Sequence, residues 1–170
     1  GTLIDGDDIM AIAALEMLAE GSLANNTLVT TVMSNAGLDA AIEASGGRTV
    51  RTPVGDKHVI DAMLQHGYNF GGEQSGHLIF SDHASTGDGL VAALQILRIM
   101  AARQKPLSDL AKCWNRFPQK LTNLRVTEKK PIEELADVPA LISEAEAALK
   151  TDGGRVLLRY SGTEPKIRLL

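Results

Sequence analysis

Two periodic patterns of apolar and polar residues occur along the chain, and together they predict alternating helices and strands. Residues 7–20 and 87–104 place apolar side chains on one helical face, and each run ends at a Gly or shortly before a Pro. The run TLVTTVM at 27–33 is rich in β-branched residues, which is typical of a strand. This alternation predicts βαβ units around a largely parallel sheet. Further helices are predicted at 37–45 and 56–66, and further strands at 48–52, in YNFGG and in HLIF.

The pattern changes after Pro106. Ser108 is a predicted N-cap of a short helix, and QKLTNLRVT at 119–127 alternates like a half-buried antiparallel strand. A helix interrupted at Pro139 and the strands RVLLRY and KIRLL follow. The expected fold class is therefore α/β: a three-layer α/β/α domain with a mixed, mostly parallel sheet, followed by a smaller α+β domain. The boundary between the two is expected near residues 106–118.

Composition narrows the class of protein. The chain of 170 residues is 44% apolar and 22% charged, which is ordinary for a soluble globular protein. Its net charge of -4, without a long block of Lys or Arg, argues against nucleic-acid binding. No apolar run is long enough to span a membrane, and the single Cys113 fits a reducing compartment, so a cytoplasmic location is expected. The absence of an initial Met and the apolar end at KIRLL suggest a fragment of a longer protein.

The first loop with side chains suited to ligand binding is GGEQSGHLIF at 71–80. Its glycines are expected to let the backbone adopt positive φ and approach a ligand closely. Glu73 accepts hydrogen bonds when ionised, whereas Ser75 and His77 can both donate and accept. This mixture suits a polyol, whose adjacent hydroxyls each need a donor and an acceptor. A solvated tight turn is the alternative interpretation.

The turn TPVGDKHV at 52–59 leads into a predicted helix. A helix N-terminus exposes unpaired N–H groups that favour anions, and Lys57 adds a positive charge. The alternative is an ordinary N-cap formed by Asp56. A weaker signal is STGDG at 85–89, where Thr86 is expected to cap the long helix that follows.

The segment RYSGTEPKIR at 159–168 combines a tight turn with several cations. Successive N–H groups of such a turn can form an anion-binding concavity, and arginine forks pair with phosphate oxygens. The hydroxyl groups of Ser161 and Thr163 add donors. The segment therefore indicates a phosphate site, with an ordinary hairpin turn as the alternative.

The ordered motifs VGDKHV, GEQSGH, TGDG and RYSGTEPKIR resemble those of the α-D-phosphohexomutase superfamily. The resemblance covers the whole chain and implies that the Gly-Glu-x-Ser-Gly-His loop binds sugar hydroxyls. His77 is in addition a candidate for proton transfer, since imidazole exchanges protons near neutral pH. By position, the sugar-binding residues are Glu73, Ser75 and His77, assisted by Gly55, Asp56 and Lys57. The phosphate-binding residues are Arg159, Ser161, Gly162, Thr163 and Arg168.

The resemblance also implies a domain assignment. Residues 1–20 would be the tail helix of a preceding α/β domain, 21–106 the third domain, and 107–170 a truncated fourth domain. Family members carry a phosphorylatable serine loop and an Asp-rich magnesium loop, and neither motif occurs in this sequence. DGDD at 5–8 matches the start of a helix rather than the metal loop, so these carboxylates are not expected to bind metal. Mg²⁺ is expected in the full-length parent, with its ligands outside this chain.

The activity implied is the interconversion of glucosamine 6-phosphate and glucosamine 1-phosphate through a phosphoserine and a bisphosphate, for peptidoglycan precursors. SGTEP favours this branch over the phosphomannomutases, which more often have Asn in place of the Gly. A phosphoglucomutase or phosphomannomutase, or a non-catalytic sugar-phosphate binding module, stays the alternative. The chain alone is expected to be inactive, with its sugar and phosphate loops facing a common cleft. Its expected partners are a sugar phosphate and the missing N-terminal domains, and a homodimer stays open.

Overall fold

In the computed structural model, which describes residues 3–149, 153–162 and 164–170, the β-branched run Thr27–Thr31 forms a central strand, β1. All five of its residues are buried, as expected for a strand covered on both faces. It pairs in parallel with β2 (Arg48–Thr52) on one side and with β3 (Phe70–Gly72) on the other. Strand β4 (Leu78–Phe80) closes the sheet antiparallel to β3, giving the order β2-β1-β3-β4.

Helices cover both faces of this sheet. The adjacent residues Leu28 and Val29 point to opposite faces, because side chains alternate along a strand. Leu28 joins the core formed with α1, α2 and α4, whereas Val29 joins the core formed with α3. The predicted three-layer α/β/α domain with a mixed, mostly parallel sheet is confirmed. The helices are α1 (Gly6–Glu20), α2 (Ala36–Ala44), α3 (Asp56–His66), α4 (Gly89–Arg103) and α5 (Leu107–Leu110).

Helix α1 lies within the core of this first unit. Residues Met10 to Ala14 are almost fully buried. The chain divides into two compact units at Gly1–Arg116 and Phe117–Leu170, so both α1 and α5 belong to the first. Among the described residues, no helix is long and apolar enough to cross a membrane.

The second unit is a small α+β domain, as predicted. Its sheet has the order β5-β7-β6, and both strand pairs are antiparallel. One helix follows β5 along the chain, after a short 3₁₀ turn at Ile132–Glu134. The elements are β5 (Thr122–Arg125), α6 (Val138–Leu149), β6 (Leu158–Tyr160) and β7 (Lys166–Leu169).

Three details of the helix termini differ from the sequence prediction. The cap of α4 is Asp88 rather than Thr86, and its carboxylate accepts the N–H groups of Leu90 and Val91. Ser108 lies inside α5 and does not cap it, since the N-cap position is Pro106. Pro139 is the second residue of α6, so it begins that helix rather than breaking it. Proline is tolerated in a first turn because its missing N–H would have no helical partner there.

Candidate functional site

The glycine-rich loop lies at the position where open α/β sheets bind ligands. From β1 the chain crosses to β2 on one side and then to β3 on the other, so the strand order reverses between β1 and β3. Ligands of such sheets bind beyond the carboxyl ends of the strands at this switch point. Residues 73–77, called the hook below, follow the carboxyl end of β3 directly.

The hook is a tight connection between β3 and β4. The N–H of Glu73 donates to the carbonyl of His77, and the N–H of Gly76 donates to the carbonyl of Glu73, both at 2.9 Å. Gly76 has φ of 97°, a conformation that a side chain would strain. This local chain reversal keeps the side chains of the hook together.

Gly71 and Gly72 serve a different purpose from the one predicted, because neither has a positive φ. A Cβ on Gly71 would lie 2.8 Å from the carbonyl oxygen of Val29 and 2.9 Å from side-chain atoms of Val59 and Met63. A Cβ on Gly72 would lie 2.7 Å from the carbonyl oxygen of His77. These two glycines permit close packing within the domain, and only Gly76 provides the unusual turn geometry.

Glu73 joins the hook to the second predicted loop. Its side chain is buried, and its Oε1 accepts the N–H of Gly55 at 2.9 Å. Gly55 is the N-cap residue of α3 and has φ of 128°. The alternative interpretation, an N-cap formed by Asp56, is therefore wrong by one residue. Asp56 and Lys57 follow as exposed residues in the first turn of α3. The two loops therefore form one cluster at the edge of the sheet.

The side chains of Ser75 and His77 in the hook are exposed to solvent. The Oγ of Ser75 lies 3.4 Å from Nδ1 of His77, which in turn lies 3.9 Å from Oε2 of Glu73. The His77 side chain is 67% exposed, whereas that of Glu73 is only 10% exposed. A fixed carboxylate beside an exposed hydroxyl and an imidazole can offer both donors and acceptors to a hydroxylated ligand.

The N-terminus of α1 contacts the hook. This contact was not identified from the sequence. The N–H of Gly6 donates to the carbonyl of Gln74 at 3.1 Å. A Cβ at Gly6 would lie only 2.3 Å from the carbonyl oxygen of Glu73. Because no side chain fits in this gap, residue 6 must be glycine for the hook to keep its position.

Two of the DGDD carboxylates stabilise the start of α1. Asp5 and Asp8 form a reciprocal capping box, and Arg116 pairs with them at 2.8 and 3.2 Å respectively. The indole Nε1 of Trp114 donates to Asp8 at 3.0 Å. Burial acts to raise the pKa of Asp5, but hydrogen bonds from Arg116 and from backbone N–H groups hold it below its usual value.

Asp7 is fully buried in the same turn. Its Oδ2 accepts the N–H of Asn35 at 2.9 Å, which connects α1 to the loop after β1. Burial raises the pKa of Asp7, because removal from water disfavours the charged form. Throughout the part of the chain that the structure describes, no group of three or more His, Cys, Asp or Glu side chains could hold a metal ion.

Arg51 fixes the loop after β1, and this too was missed from the sequence. Its guanidinium donates to the carbonyls of Thr31, Ser34 and Asn35 at 2.7, 2.9 and 3.3 Å. It also pairs with Asp39 at 2.5 Å. One side chain therefore satisfies three carbonyl groups at the edge of the sheet that carries the hook.

In the second unit, Arg159 and Arg168 lie directly opposite each other on β6 and β7. The Nε atoms of both are buried and hydrogen-bond to no described residue. Burial, followed by the nearby charge of Arg168, lowers the pKa of Arg159. Two half-buried guanidinium groups with unused Nε donors are unfavourable alone, and such groups can pair with the oxygens of an anion.

The loop between these arginines places Ser161 beside them. Ser161 is 3% exposed, and its hydroxyl lies 3.4 Å from Nη2 of Arg168. Gly162 does not have a positive φ, and a Cβ there would meet nothing within 4 Å. The space above Gly162 is therefore open to a ligand. The predicted phosphate-binding residue Thr163 lies outside the described residues.

Two further charged residues shape this loop. Lys129, which the sequence analysis did not select, donates from Nζ to the carbonyl of Ser161 at 2.6 Å. Glu164 pairs with Lys166 at 2.5 Å and with Arg168 at 3.0 Å. Hydrogen bonds from Lys166 and then from Arg168 hold the pKa of Glu164 below its usual value.

Comparison with known families agrees with this architecture. Residues 5–117 match the family described as phosphoglucomutase/phosphomannomutase, alpha/beta/alpha domain III, and residues 121–170 match its C-terminal domain. The class that the fold defines is thus that of the phosphoglucomutase/phosphomannomutase domains. The chain belongs to the phosphoglucomutase/phosphomannomutase family.

Similar proteins carry a more specific name. The chain is 54% identical over 170 residues to a phosphoglucosamine mutase of Geobacter sp. (strain M21), and 55% identical to one of Nitratidesulfovibrio vulgaris. All of this chain is covered in both comparisons, but it spans only 37% and 38% of those relatives.

A solved structure shares the fold. Aspergillus fumigatus N-acetylphosphoglucosamine mutase, solved in complex with GlcNAc-6P and magnesium, matches with a TM-score of 0.81 at 22% identity. The match covers 99% of this chain and 43% of the fungal protein. The match confirms that this chain has the fold of the corresponding part of the fungal protein.

Proposed function

We propose that this chain is the substrate-holding part of a mutase that interconverts glucosamine 6-phosphate and glucosamine 1-phosphate. The names of relatives at 54% and 55% identity support this substrate. A hexosamine phosphate also satisfies the two kinds of loop in the chain, one suited to hydroxyl groups and one suited to an anion. Because the chain spans 37% of such a relative, the rest of the activity belongs to the longer parent protein.

The observation that carries the proposal is the pair Arg159 and Arg168. Their buried Nε donors have no acceptor among the described residues, and the adjacent Ser161 hydroxyl is buried with them. A phosphate monoester supplies several oxygens to such a set and compensates the repulsion between the two guanidinium groups. We assign the non-transferring phosphate of the substrate to this loop, including Gly162 and Thr163.

We assign recognition of the sugar hydroxyls to the hook. The exposed Ser75 and His77 are placed to donate and accept, while Glu73 is held by Gly55. Asp56 and Lys57 lie next to that contact, and Lys57 can orient a negatively charged substrate through its ammonium group. His77 is also our candidate for a proton transfer to or from a sugar hydroxyl.

The transfer chemistry is assigned to the parent protein. A phosphoserine would give its phosphoryl group to the free hydroxyl of the bound sugar, and the bisphosphate would turn over and return its other phosphoryl group to the serine. When bound, Mg²⁺ would neutralise charge on the transferring group. The described residues of this chain do not fit that ion, because Asp5, Asp7 and Asp8 are engaged by Arg116, Asn35 and Trp114. Its ligands are therefore proposed to lie in the missing domains.

This reaction sets two demands on the chain. The substrate must be held while one end reacts, and the bisphosphate must be released and rebound with its ends exchanged. We propose that the hook holds the sugar, that the phosphate loop releases and rebinds the phosphate groups, and that the second unit, Phe117–Leu170, forms a mobile last domain. A cytoplasmic location, and a role in forming peptidoglycan precursors, complete the proposal.

Binding by the purified 170-residue chain tests the assignment. Glucosamine 6-phosphate, glucose 6-phosphate and mannose 6-phosphate are titrated and followed by nuclear magnetic resonance. We expect the glucosamine ester to bind most tightly and Arg168→Gln to weaken binding at least about tenfold, as the loss of a charge-assisted hydrogen bond implies. The matched control Lys120→Gln removes one positive charge from an exposed position of the same unit.

Two outcomes would contradict the proposal. Equal weakening by Lys120→Gln and Arg168→Gln would mean that only net charge matters. Tighter binding of glucose 6-phosphate or mannose 6-phosphate would mean that the preferred substrate is that ester and not glucosamine 6-phosphate. The chain alone is expected to show no mutase turnover, because neither the serine loop nor the Asp-rich loop occurs in its sequence.

A further inference from the structure

The carboxylate of Glu164 forms ion pairs with two cations of the phosphate loop, Lys166 and Arg168. Its Oε1 lies 2.5 Å from Nζ of Lys166, and its Oε2 lies 3.0 Å from Nη2 of Arg168. In the part of the chain that the structure describes, every ion pair made by residues 159–168 includes Glu164. The loop therefore carries its own counter-ion.

This counter-ion is accessible and has few other bonds. The Glu164 side chain is 41% exposed, compared with 28% for Arg168. The backbone N–H of Glu164 donates to the hydroxyl of Ser161 at 3.3 Å, which holds the main chain while leaving the carboxylate to its two cations. An exposed ion pair of this type contributes little to folding and can be exchanged for another anion.

Arg168 can pair either with the Glu164 carboxylate or with a phosphate. It faces Arg159 across the two strands, and its own Nε is buried without a described acceptor. A carboxylate and a phosphate both present oxygens that match the guanidinium fork. Whichever anion is bound reduces the repulsion between the two arginines.

We propose that Glu164 is an internal competitor of the substrate phosphate: its carboxylate holds Arg168 and Lys166 in the empty loop and is displaced when phosphate binds. This inference rests on the proposed phosphate role of residues 159–168. Glu164 therefore weakens phosphate binding, and it stabilises the loop again each time the phosphate departs. In a reaction whose bisphosphate must leave and rebind, this lowers the barrier to release.

The opposite role for Glu164 makes the opposite prediction. If its carboxylate served to orient Arg168 for phosphate, then removing the charge would weaken binding. The sign of the change in phosphate affinity therefore separates an internal competitor from a positioning residue.

The experiment compares inorganic phosphate and glucosamine 6-phosphate binding to the 170-residue chain and its variants, monitored through the Nε–H resonances of arginine. We expect Glu164→Gln to bind both ligands about three- to tenfold more tightly, in line with the loss of one exposed ion pair and one like charge. Glu164→Asp keeps the charge and is expected to bind as the unmodified chain does. The gain should shrink at high ionic strength, because salt screens the interaction between exposed charges.

Glu144→Gln is the matched control, since it removes the same charge from an exposed position on α6 of the same unit. Unchanged affinity in this variant supports a local effect, whereas an equal gain in both variants would overturn the proposal. If the unmodified chain binds phosphate and Glu164→Gln binds it equally or more weakly, the competitor role fails and the phosphate site stands. If neither binds phosphate while both are folded, the proposed function fails and the competitor role fails with it.

Discussion

The buried carboxylate of Glu73 accepts a hydrogen bond from the N–H of Gly55 at 2.9 Å. This contact joins a hairpin loop after β3 to the N-terminus of α3, two segments that are 18 residues apart in the chain. Gly55 occupies the N-cap position without a side chain of its own to cap the helix. The carboxylate from the neighbouring loop therefore provides an acceptor at that helix end and fixes the hook at the same time.

Replacing Glu73 by Ala is expected to destabilise the first unit by about 1.5–3 kcal/mol, since a buried charge-assisted hydrogen bond is lost. Urea unfolding followed by the fluorescence of Trp114 measures this, because Trp114 is the only tryptophan and lies in the first unit. Glu43→Gln is the control, as Glu43 is an exposed acid on α2. A change of similar size in the control would show that Glu73 acts only through net charge.

Gly6→Ala is expected to destabilise the first unit by about 1–3 kcal/mol through overpacking. The new Cβ would lie 2.3 Å from the carbonyl oxygen of Glu73, so either α1 or the hook must move. Gly89→Ala is a close match, because Gly89 is also the first residue of a 15-residue helix but has nothing within 4 Å of the Cβ position. That variant should be neutral or slightly stabilising. Similar loss of stability in both would contradict the contact.

Asp7→Asn is expected to stabilise the protein relative to the unmodified chain as the pH rises toward neutrality. Burial raises the pKa of Asp7 in the folded state, so its stabilising contribution is present at low pH and is lost as pH increases through that pKa. Asparagine does not ionise and therefore avoids this loss. Urea unfolding at a series of pH values from about 4 to 7 tests the sign. A difference between the two proteins that does not vary with pH would refute the buried ionisation.

Arg159→Met is expected to leave the second unit equally or more stable while weakening phosphate binding about tenfold or more. The pKa of Arg159 is lowered by burial and by Arg168, so its charge opposes folding. Thermal unfolding followed through the amide resonances of residues 158–169 reports on this unit, and phosphate titration reports on binding. Loss of stability together with binding would indicate that Arg159 is a structural residue instead.

Local pattern alone was sufficient for most of the secondary structure. Strand β2 and helix α3 begin and end at the predicted residues, 48–52 and 56–66. In α3, the helical periodicity and the stop signal at Gly67 predict the same end of the helix. Helix caps were less predictable, because Thr86 and Asp88 are both good N-cap residues and only the geometry of the turn selects Asp88.

The candidate site was predictable only where its residues are neighbours in sequence. Ser75 and His77 lie within 3.4 Å because a tight hairpin brings them together. Gly6, Arg51 and Lys129 were not selected, since each acts on a loop distant in sequence through a backbone carbonyl. A backbone acceptor leaves no signature in residue type, so such contacts have no local signal.

The sequence by itself determined the order of helices and strands, the mixed three-layer and α+β classes, and the loops that resemble those of the phosphohexomutases. Tertiary structure decided that Glu73 meets Gly55, that Gly6 supports the hook and that Arg159 faces Arg168. Periodicity specifies which face of each element is buried, because that depends on the side chains of the element alone. Which elements become neighbours depends on burying all those faces together, and that is a property of the folded chain.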